Sequence, residues 1–314
     1  MYPQERKRLG IINLKPAFLY LYLSIESYLN ISYCEEIMGE QSTIWKNFIK
    51  NWKIYASPGK PSPDDISIVR KWLKKIKAKR VLLLGATPQL RDLLVELKCE
   101  AYTMDMQMDM LLGMQNYMKR KNPNEVIIKS DWLTSPLKDN YFDAILGDLI
   151  LENIPYNQQP KLFSEIKRLL KKGAPWITKI FYPKDNLKDE NPIDTINRIA
   201  RMPYNINRYE ELFIYFLFLT YNYKTKMCDV SKTEKMINYF YNNGELRKGI
   251  DLKAKKLFEL MYHMWGKPMK KIWYTETRTE YMKRLKLYFT ILDEDHARDY
   301  LFGEHFPTIL CKPK

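Results

Sequence analysis

Three acidic residues, Asp105, Asp131 and Asp148, each stand just beyond a short apolar run. Upstream of all three lies Arg80-Val-Leu-Leu-Leu-Gly-Ala-Thr-Pro-Gln-Leu90. That string reads as a buried strand, a tight turn and a helix start. Such a unit holds a nucleotide-like ligand by its backbone, and a carboxylate one βαβ step later accepts from ribose hydroxyls. Gly85 stands at the turn, where a missing Cβ lets the backbone approach a ligand. Thr87-Pro88 opens the helix, whose first turn offers free N–H groups to a polar ligand. Asp105 closes the second strand. Trp132, beside Asp131, can lie on or near an adenine face, and Gly147-Asp148 closes the fourth strand near the reacting end.

These residues need a scaffold, and the pattern around them supplies one. Val81–Leu84 is wholly apolar, as expected of a strand covered on both faces. Helix 89–97, strand 101–104, helix 109–120, strands 125–128 and 142–146, helix 159–170 and strand 174–181 follow in alternation. Such alternation predicts a doubly wound parallel sheet. Lys172-Gly173 reads as a left-handed cap ending the helix before the last of these strands. Ahead of the alternation, Ala17, Phe18, Leu21, Tyr22, Ile25, Tyr28 and Leu29 recur at helical spacing, and Trp45, Phe48, Ile49 and Trp52 continue the pattern. Ser57-Pro-Gly-Lys-Pro-Ser-Pro63 forbids regular structure, and Asp64 is the expected N-cap of a helix to Lys77. After Pro183 the alternation stops for about 100 residues, too long for a loop. Strand-like pieces return at 285–292 and 306–312. The expected organisation is an N-terminal helical segment and Pro-rich loop (1–63), a Rossmann-like core (64–182), a helical insertion over the ligand face (183–284) and a terminal β-hairpin completing the sheet (285–314).

Composition narrows the function classes. The four Cys form no CxxC pair and the three His show no metal-ligand spacing, which excludes a zinc ribbon and a disulfide framework. A reduced, cytoplasmic protein is expected. The longest apolar runs, Phe18–Leu23 and 212–220, fall short of a membrane span, and no signal peptide is read at the N-terminus. The net charge of +15 admits nucleic-acid binding. The excess is spread along the chain, however; residues 183–284 hold 20 basic and 13 acidic residues. The densest run, Arg70–Arg80, interleaves Trp72, Leu73 and Ile76 as in an amphipathic helix with a solvated face.

The ordered strings Val81–Pro88, Tyr102–Leu111, Lys129–Trp132 and Phe142–Asp148, with Phe163–Gly173, resemble the class I S-adenosylmethionine-dependent methyltransferases. The resemblance covers roughly residues 78–182 plus the terminal strand pair. It implies a Rossmann-like, doubly wound, seven-stranded, mostly parallel sheet with one antiparallel terminal strand, and S-adenosyl-L-methionine as cofactor. It further implies a cofactor site of Gly85, Ala86, Thr87, Asp105, Met106, Asp131, Trp132 and Gly147, with the ribose on Asp105 and the adenine amino group on Asp131. One departure stands out: the usual glycine-rich turn keeps only Gly85. The acidic residue after strand two would serve NAD equally well, but the chain lacks GxGxxG and ends in a hairpin. Each Asp also has a plainer reading as a strand-end or helix cap.

Methyl transfer from a sulfonium is an in-line displacement, so alignment and exclusion of water dominate. Asp148 is the first candidate general base and His263 the second. The absence of Asp/Asn-Pro-Pro-Tyr/Phe and of Pro-Cys at strand four argues against amino or C5 methylation of DNA bases. The aromatic insertion (Tyr204, Tyr209, Phe213, Tyr215, Phe216, Phe218, Tyr221, Tyr223) suits a small organic acceptor, though an ordinary helical core would read the same way. A small-molecule O- or N-methyltransferase leads. An RNA methyltransferase using the basic surface and a non-catalytic binding subunit remain as alternatives. Arg91 can reach a cofactor carboxylate or lie on a solvated helix face, and Trp52 and Tyr55 can close over the cofactor or pack in the core. The sequence leaves the oligomeric state open.

Overall fold

Val81 and Leu83 point to one side of the first strand and Leu82 and Leu84 to the other, and all four are buried. They seed two separate apolar clusters, one on each sheet face. A strand of this kind must lie inside a sheet covered by helices. The computed structural model describes residues 45–46, 48–184, 187, 190–203, 207–244, 248–266 and 269–314. The helix expected around residues 17–29, and Tyr204, lie outside the described residues.

The strands are β1 (Arg80–Leu84), β2 (Glu100–Asp105), β3 (Val126–Lys129), β4 (Ala144–Asp148), β5 (Trp176–Lys179), β6 (Met227–Asp229), β7 (Ile272–Tyr274), β8 (Phe289–Asp295) and β9 (Thr308–Pro313). Seven of them form one sheet in the order β3-β2-β1-β4-β5-β9-β8. The first five run parallel, and β9 is antiparallel to both of its neighbours. The expected seven-stranded, mostly parallel sheet is therefore present. Its order reverses between β1 and β4, which puts the crevice for a ligand at their carboxyl ends, after Leu84 and Asp148.

Helix α1 (Pro63–Ile76) starts two residues earlier than the Asp64 cap predicted. Ser62 is the N-cap: its hydroxyl accepts from Asp65 N–H at 3.1 Å, and the Asp65 carboxylate accepts from Ser62 N–H at 2.9 Å. This reciprocal capping box outcompetes Asp64, which accepts from the Arg298 N–H instead. Asp65 also pairs with the buried Lys179 at 2.8 Å, tying α1 to the end of β5. Gly173 takes the expected left-handed conformation (φ +77°), but in the turn after the helix rather than as its cap. That helix ends at Leu169.

The terminal strand expected from residue 285 begins at Phe289. Residues Arg278–Tyr288 are helical, and Tyr281, Met282 and Leu285 bury a helix face beside Phe163 and Trp176. Leu285 and Leu287 mimic strand alternation, an ambiguity that short apolar runs always carry. Between β5 and that helix stand helices Pro192–Arg201, Arg208–Leu219, Val230–Asn242 and Leu252–Trp265, with the small antiparallel pair β6–β7 among them. Helix Arg208–Leu219 is buried from Tyr209 through Phe218, so it is the inner helix of this layer. Its cluster is continuous with Ala86, Leu111, Met114 and Phe181 at the carboxyl edge of the sheet.

Candidate active site

Gly85 follows β1 with φ +93°, a conformation that L side chains rarely adopt. Its N–H donates to the Met104 carbonyl at 2.9 Å, which locks the turn onto β2. Pro88 then begins helix Pro88–Glu96 with Thr87 as N-cap, as the sequence predicts. No acidic side chain stands in the first turn of that helix and Thr87 makes no side-chain cap, so its leading N–H groups have no side-chain partner from that turn.

Gly85, Ala86 and Thr87 line a single large cavity together with Asp105, Trp132 and Asp148. The cavity encloses about 1070 Å³ of empty space, its mouth included. Trp132 is held over the turn: its indole N–H donates to Met104 O at 2.9 Å, and its Cζ2 would lie 4.0 Å from a Cβ built on Gly85. Asp105 accepts from Gln107 N–H at 2.8 Å. Burial pushes its carboxyl up to about 6, with backbone N–H groups of Met106 and Gln107 opposing. Each carboxylate oxygen accepts two bonds, so capacity remains for ligand hydroxyls. At Asp148, burial likewise pushes the carboxyl up to about 6, opposed by the Lys179 charge. Its Oδ2 accepts from the Thr87 hydroxyl at 3.4 Å, whereas its buried Oδ1 has no hydrogen-bond partner.

The other three predicted residues stand apart from this cavity wall. Asp131 accepts from Leu133 N–H at 2.9 Å in the turn after β3 and is not part of the lining. Met106 is exposed. Gly147 is required by packing: an added Cβ would lie 2.8 Å from Ile150 and 3.2 Å from the Thr178 hydroxyl. His263 is exposed and lies off the cavity. Arg91 reaches neither solvent nor the cavity. It is buried, pairs with Glu125 at 2.6 Å and donates to the Leu111 carbonyl at 3.0 Å.

Of the opposite wall, sequence reasoning named Trp52 and Phe213 as candidates but missed Pro58, Gly59, Glu152, Glu210, Trp265, Lys271 and Trp273. The Pro-rich loop is largely buried, and Pro58 and Gly59 line the cavity. Glu210 enters from the inner helix, so close to Gly59 that an added Cβ there would lie 2.6 Å from its Oε1. Trp265 N–H donates to its Oε2 at 3.0 Å, and burial pushes the carboxyl up to about 8. Glu152, in the turn after β4, accepts from Phe181 N–H at 2.8 Å, and burial raises it to about 8. Its buried Oε2 has no hydrogen-bond partner. Glu152 sits in an otherwise apolar run, Leu149-Ile-Leu-Glu152, which is the signal that could have found it; Glu210, close to Arg208 and Glu211, has no such mark. Lys271, Phe48, Trp52, Phe213, Trp265 and Trp273 complete the wall. Phe213 and Trp265 stack at 3.8 Å between ring centroids, within 7° of parallel.

Residues 85–177 match the family model described as a methyltransferase domain, from the Gly85 turn into β5. No curated protein matches the sequence. Among solved structures, a protein from Rhodobacter sphaeroides, provisionally described as a Zn-dependent alcohol dehydrogenase, is 13% identical. That match covers 88% of this chain and 100% of the other, with a TM-score of 0.54, and at this identity it shows a shared fold alone. The 1,6-didemethyltoxoflavin-N1-methyltransferase of Burkholderia thailandensis is 8% identical, with 90% of this chain and 93% of the other covered and a TM-score of 0.49. The N-methyltransferase NodS of Bradyrhizobium japonicum WM9 is 9% identical, with 86% and 97% covered and a TM-score of 0.46. The strand order and the domain matched over residues 85–177 agree with the fold expected of a class I S-adenosylmethionine-dependent methyltransferase. Among the described residues, no group of three or more His, Cys, Asp or Glu is placed to hold a metal ion, and no helix is long and apolar enough to cross a membrane.

Proposed function

We propose that this protein transfers a methyl group to an oxygen or nitrogen atom of a small organic acceptor. The observation that carries this reading is the cavity itself. One wall is the Gly85–Thr87 turn with Asp105, and the other is an aromatic wall from the inserted helices. A concave, mostly apolar site with a few convergent polar groups is the usual form of a small-molecule pocket.

Gly85, Ala86, Thr87, Asp105 and Trp132 would hold the cofactor, which supplies an electrophilic methyl on a sulfonium. The Gly85 turn, the helix N–H groups after Thr87 and the remaining acceptor capacity of Asp105 fit a nucleoside with a charged tail. Asp131 stays a candidate for the adenine edge from outside the lining, with Met106 and Gly147 as backbone neighbours. Asp148 is the proposed general base. Its unpartnered, buried Oδ1 and a titration point raised to about 6 suit proton removal from a hydroxyl or ammonium near neutral pH. The aromatic wall excludes water from the displacement.

The basic run favours this reading over nucleic acid. Arg70 pairs with Glu96, Arg80 pairs with Glu100, and both pairs measure 2.8 Å. Arg80 begins β1, at the edge of the sheet opposite the cavity. The test is transfer of labelled methyl from S-adenosylmethionine into a panel of small phenols and amines, and separately into total RNA. Labelling of a small acceptor supports the proposal. Labelling of RNA alone overturns it.

A further inference from the structure

Lys271 stands immediately before β7, and its side chain lines the same cavity as Asp148. The residue is 9% exposed. Its backbone is fixed, since Val230 N–H donates to the Lys271 carbonyl at 2.9 Å. Its Nζ lies 4.9 Å from the ring centroid of Trp45. Among the described residues no carboxylate pairs with it. Burial alone lowers its titration to about 8.

Buried ammonium groups are normally matched by a counter-charge, because desolvating an ion costs several kcal/mol. This chain follows that rule elsewhere. Lys179 is buried to a similar degree and is matched by Asp65 at 2.8 Å. Lys271 is not matched, and what faces it is the cavity. Its strand packs against the turn Leu151–Asn153 that follows β4. The strand that Lys271 leads into thus adjoins the chain just beyond Asp148. Phe213, Trp265 and Trp273 stand in the same wall, ready for a flat apolar body.

We propose that Lys271 is a specificity residue that pairs with a carboxylate on the methyl acceptor, so that the acceptor class is an aromatic or polycyclic acid. This rests on the methyltransferase reading above. The acid completes the ion pair that the fold leaves open, and the aromatic wall carries its ring. Lys271 touches substrate without moving a proton to or from the reacting atom.

The experiment uses the full chain saturated with S-adenosylhomocysteine and two isosteric probes, 2-naphthoate and 2-naphthamide, followed by tryptophan fluorescence. Native protein should bind the acid about tenfold or more tighter than the amide, as expected for a desolvated charge pair. Lys271→Met should bring that ratio close to one, and Lys271→Arg should retain it. Thermal melts of both variants establish that they fold; Lys271→Met is expected to be as stable as native because it removes an unmatched charge. Equal affinity for the two probes in native protein, or no binding of naphthoate, overturns the proposal. So does an unchanged ratio in Lys271→Met. Loss of S-adenosylhomocysteine affinity in Lys271→Met also overturns it, by assigning the cation to the cofactor. Failure of native protein to bind S-adenosylhomocysteine overturns the methyltransferase reading itself, a result distinct from the others.

Discussion

Trp132 closes over Gly85: its indole N–H is fixed to Met104 O at 2.9 Å, and its Cζ2 stands 4.0 Å from where a Gly85 Cβ would project. Both residues thus hang on β2 through the same carbonyl, since Gly85 N–H donates to Met104 O as well. The turn keeps one glycine because one position needs φ near +93°.

Gly85→Ala is expected to cost about 1–2 kcal/mol of stability, from backbone strain and not from a clash. It should also weaken S-adenosylhomocysteine binding several-fold. A chemical denaturation curve and a calorimetric titration check the two effects. A variant as stable as native would contradict the strain argument.

Asp105→Ala is expected to weaken cofactor binding about 10–100-fold, the scale of hydrogen bonds to a charged acceptor. Hydroxyl donors favour the ionised carboxylate, which titrates at about 6 here. Native affinity for S-adenosylhomocysteine should therefore be constant above pH 7 and fall as pH drops through 6. The dependence should vanish in the variant. A pH-independent native affinity would remove Asp105 from the site.

Arg91 and Glu125 form a buried pair at 2.6 Å, extended by Thr103 donating to Glu125 at 2.5 Å. Removing one partner of such a pair strands the other charge. Glu125→Ala is expected to destabilise the fold by about 3–5 kcal/mol. The pair lies off the cavity, so the folded fraction should keep its cofactor affinity. A shift in denaturation midpoint under 1 kcal/mol would contradict this reading.

Glu210 holds its proton to about 8 in the folded chain because it is buried, whereas an unfolded glutamate releases it near 4.5. Between those values the folded state binds more protons, so stability falls as pH rises through this window and levels off above 8. Glu210→Gln should remove that contribution, gaining about 2–4 kcal/mol relative to native at pH 8.5 and little at pH 5. Melting curves at both pH values test it; an equal effect at the two would exclude Glu210 as the titrating group.

The parallel core was legible because its signals are local. Val81–Leu84 is apolar on both faces, Pro88 starts a helix, and Gly85 takes the positive φ that a glycine at a turn announces. The aromatic wall was legible only in part, through Trp52 and the Phe213 helix; its polar members were not. Glu210 and Trp265 are brought together across 55 residues by helix packing, and Lys271 sits in a run of basic residues with nothing local to mark it as buried. Arg91 failed for the same reason. Its partner Glu125 lies 34 residues away, and helix spacing alone cannot distinguish a solvated arginine from one paired beneath a sheet edge. Gly147 sits beside Asp148 but serves the packing of Ile150, a distinction that only the third dimension supplies.

The central claim is a cofactor site built on the Gly85 turn and Asp105. Isothermal titration of the full chain with S-adenosylmethionine, S-adenosylhomocysteine and NAD tests it most directly, with Asp105→Ala alongside. The account predicts one-site binding of both sulfur compounds, none of NAD, and a loss of at least about tenfold in the variant. Binding of NAD without the sulfur compounds, or equal affinity in native and variant chains, would contradict it.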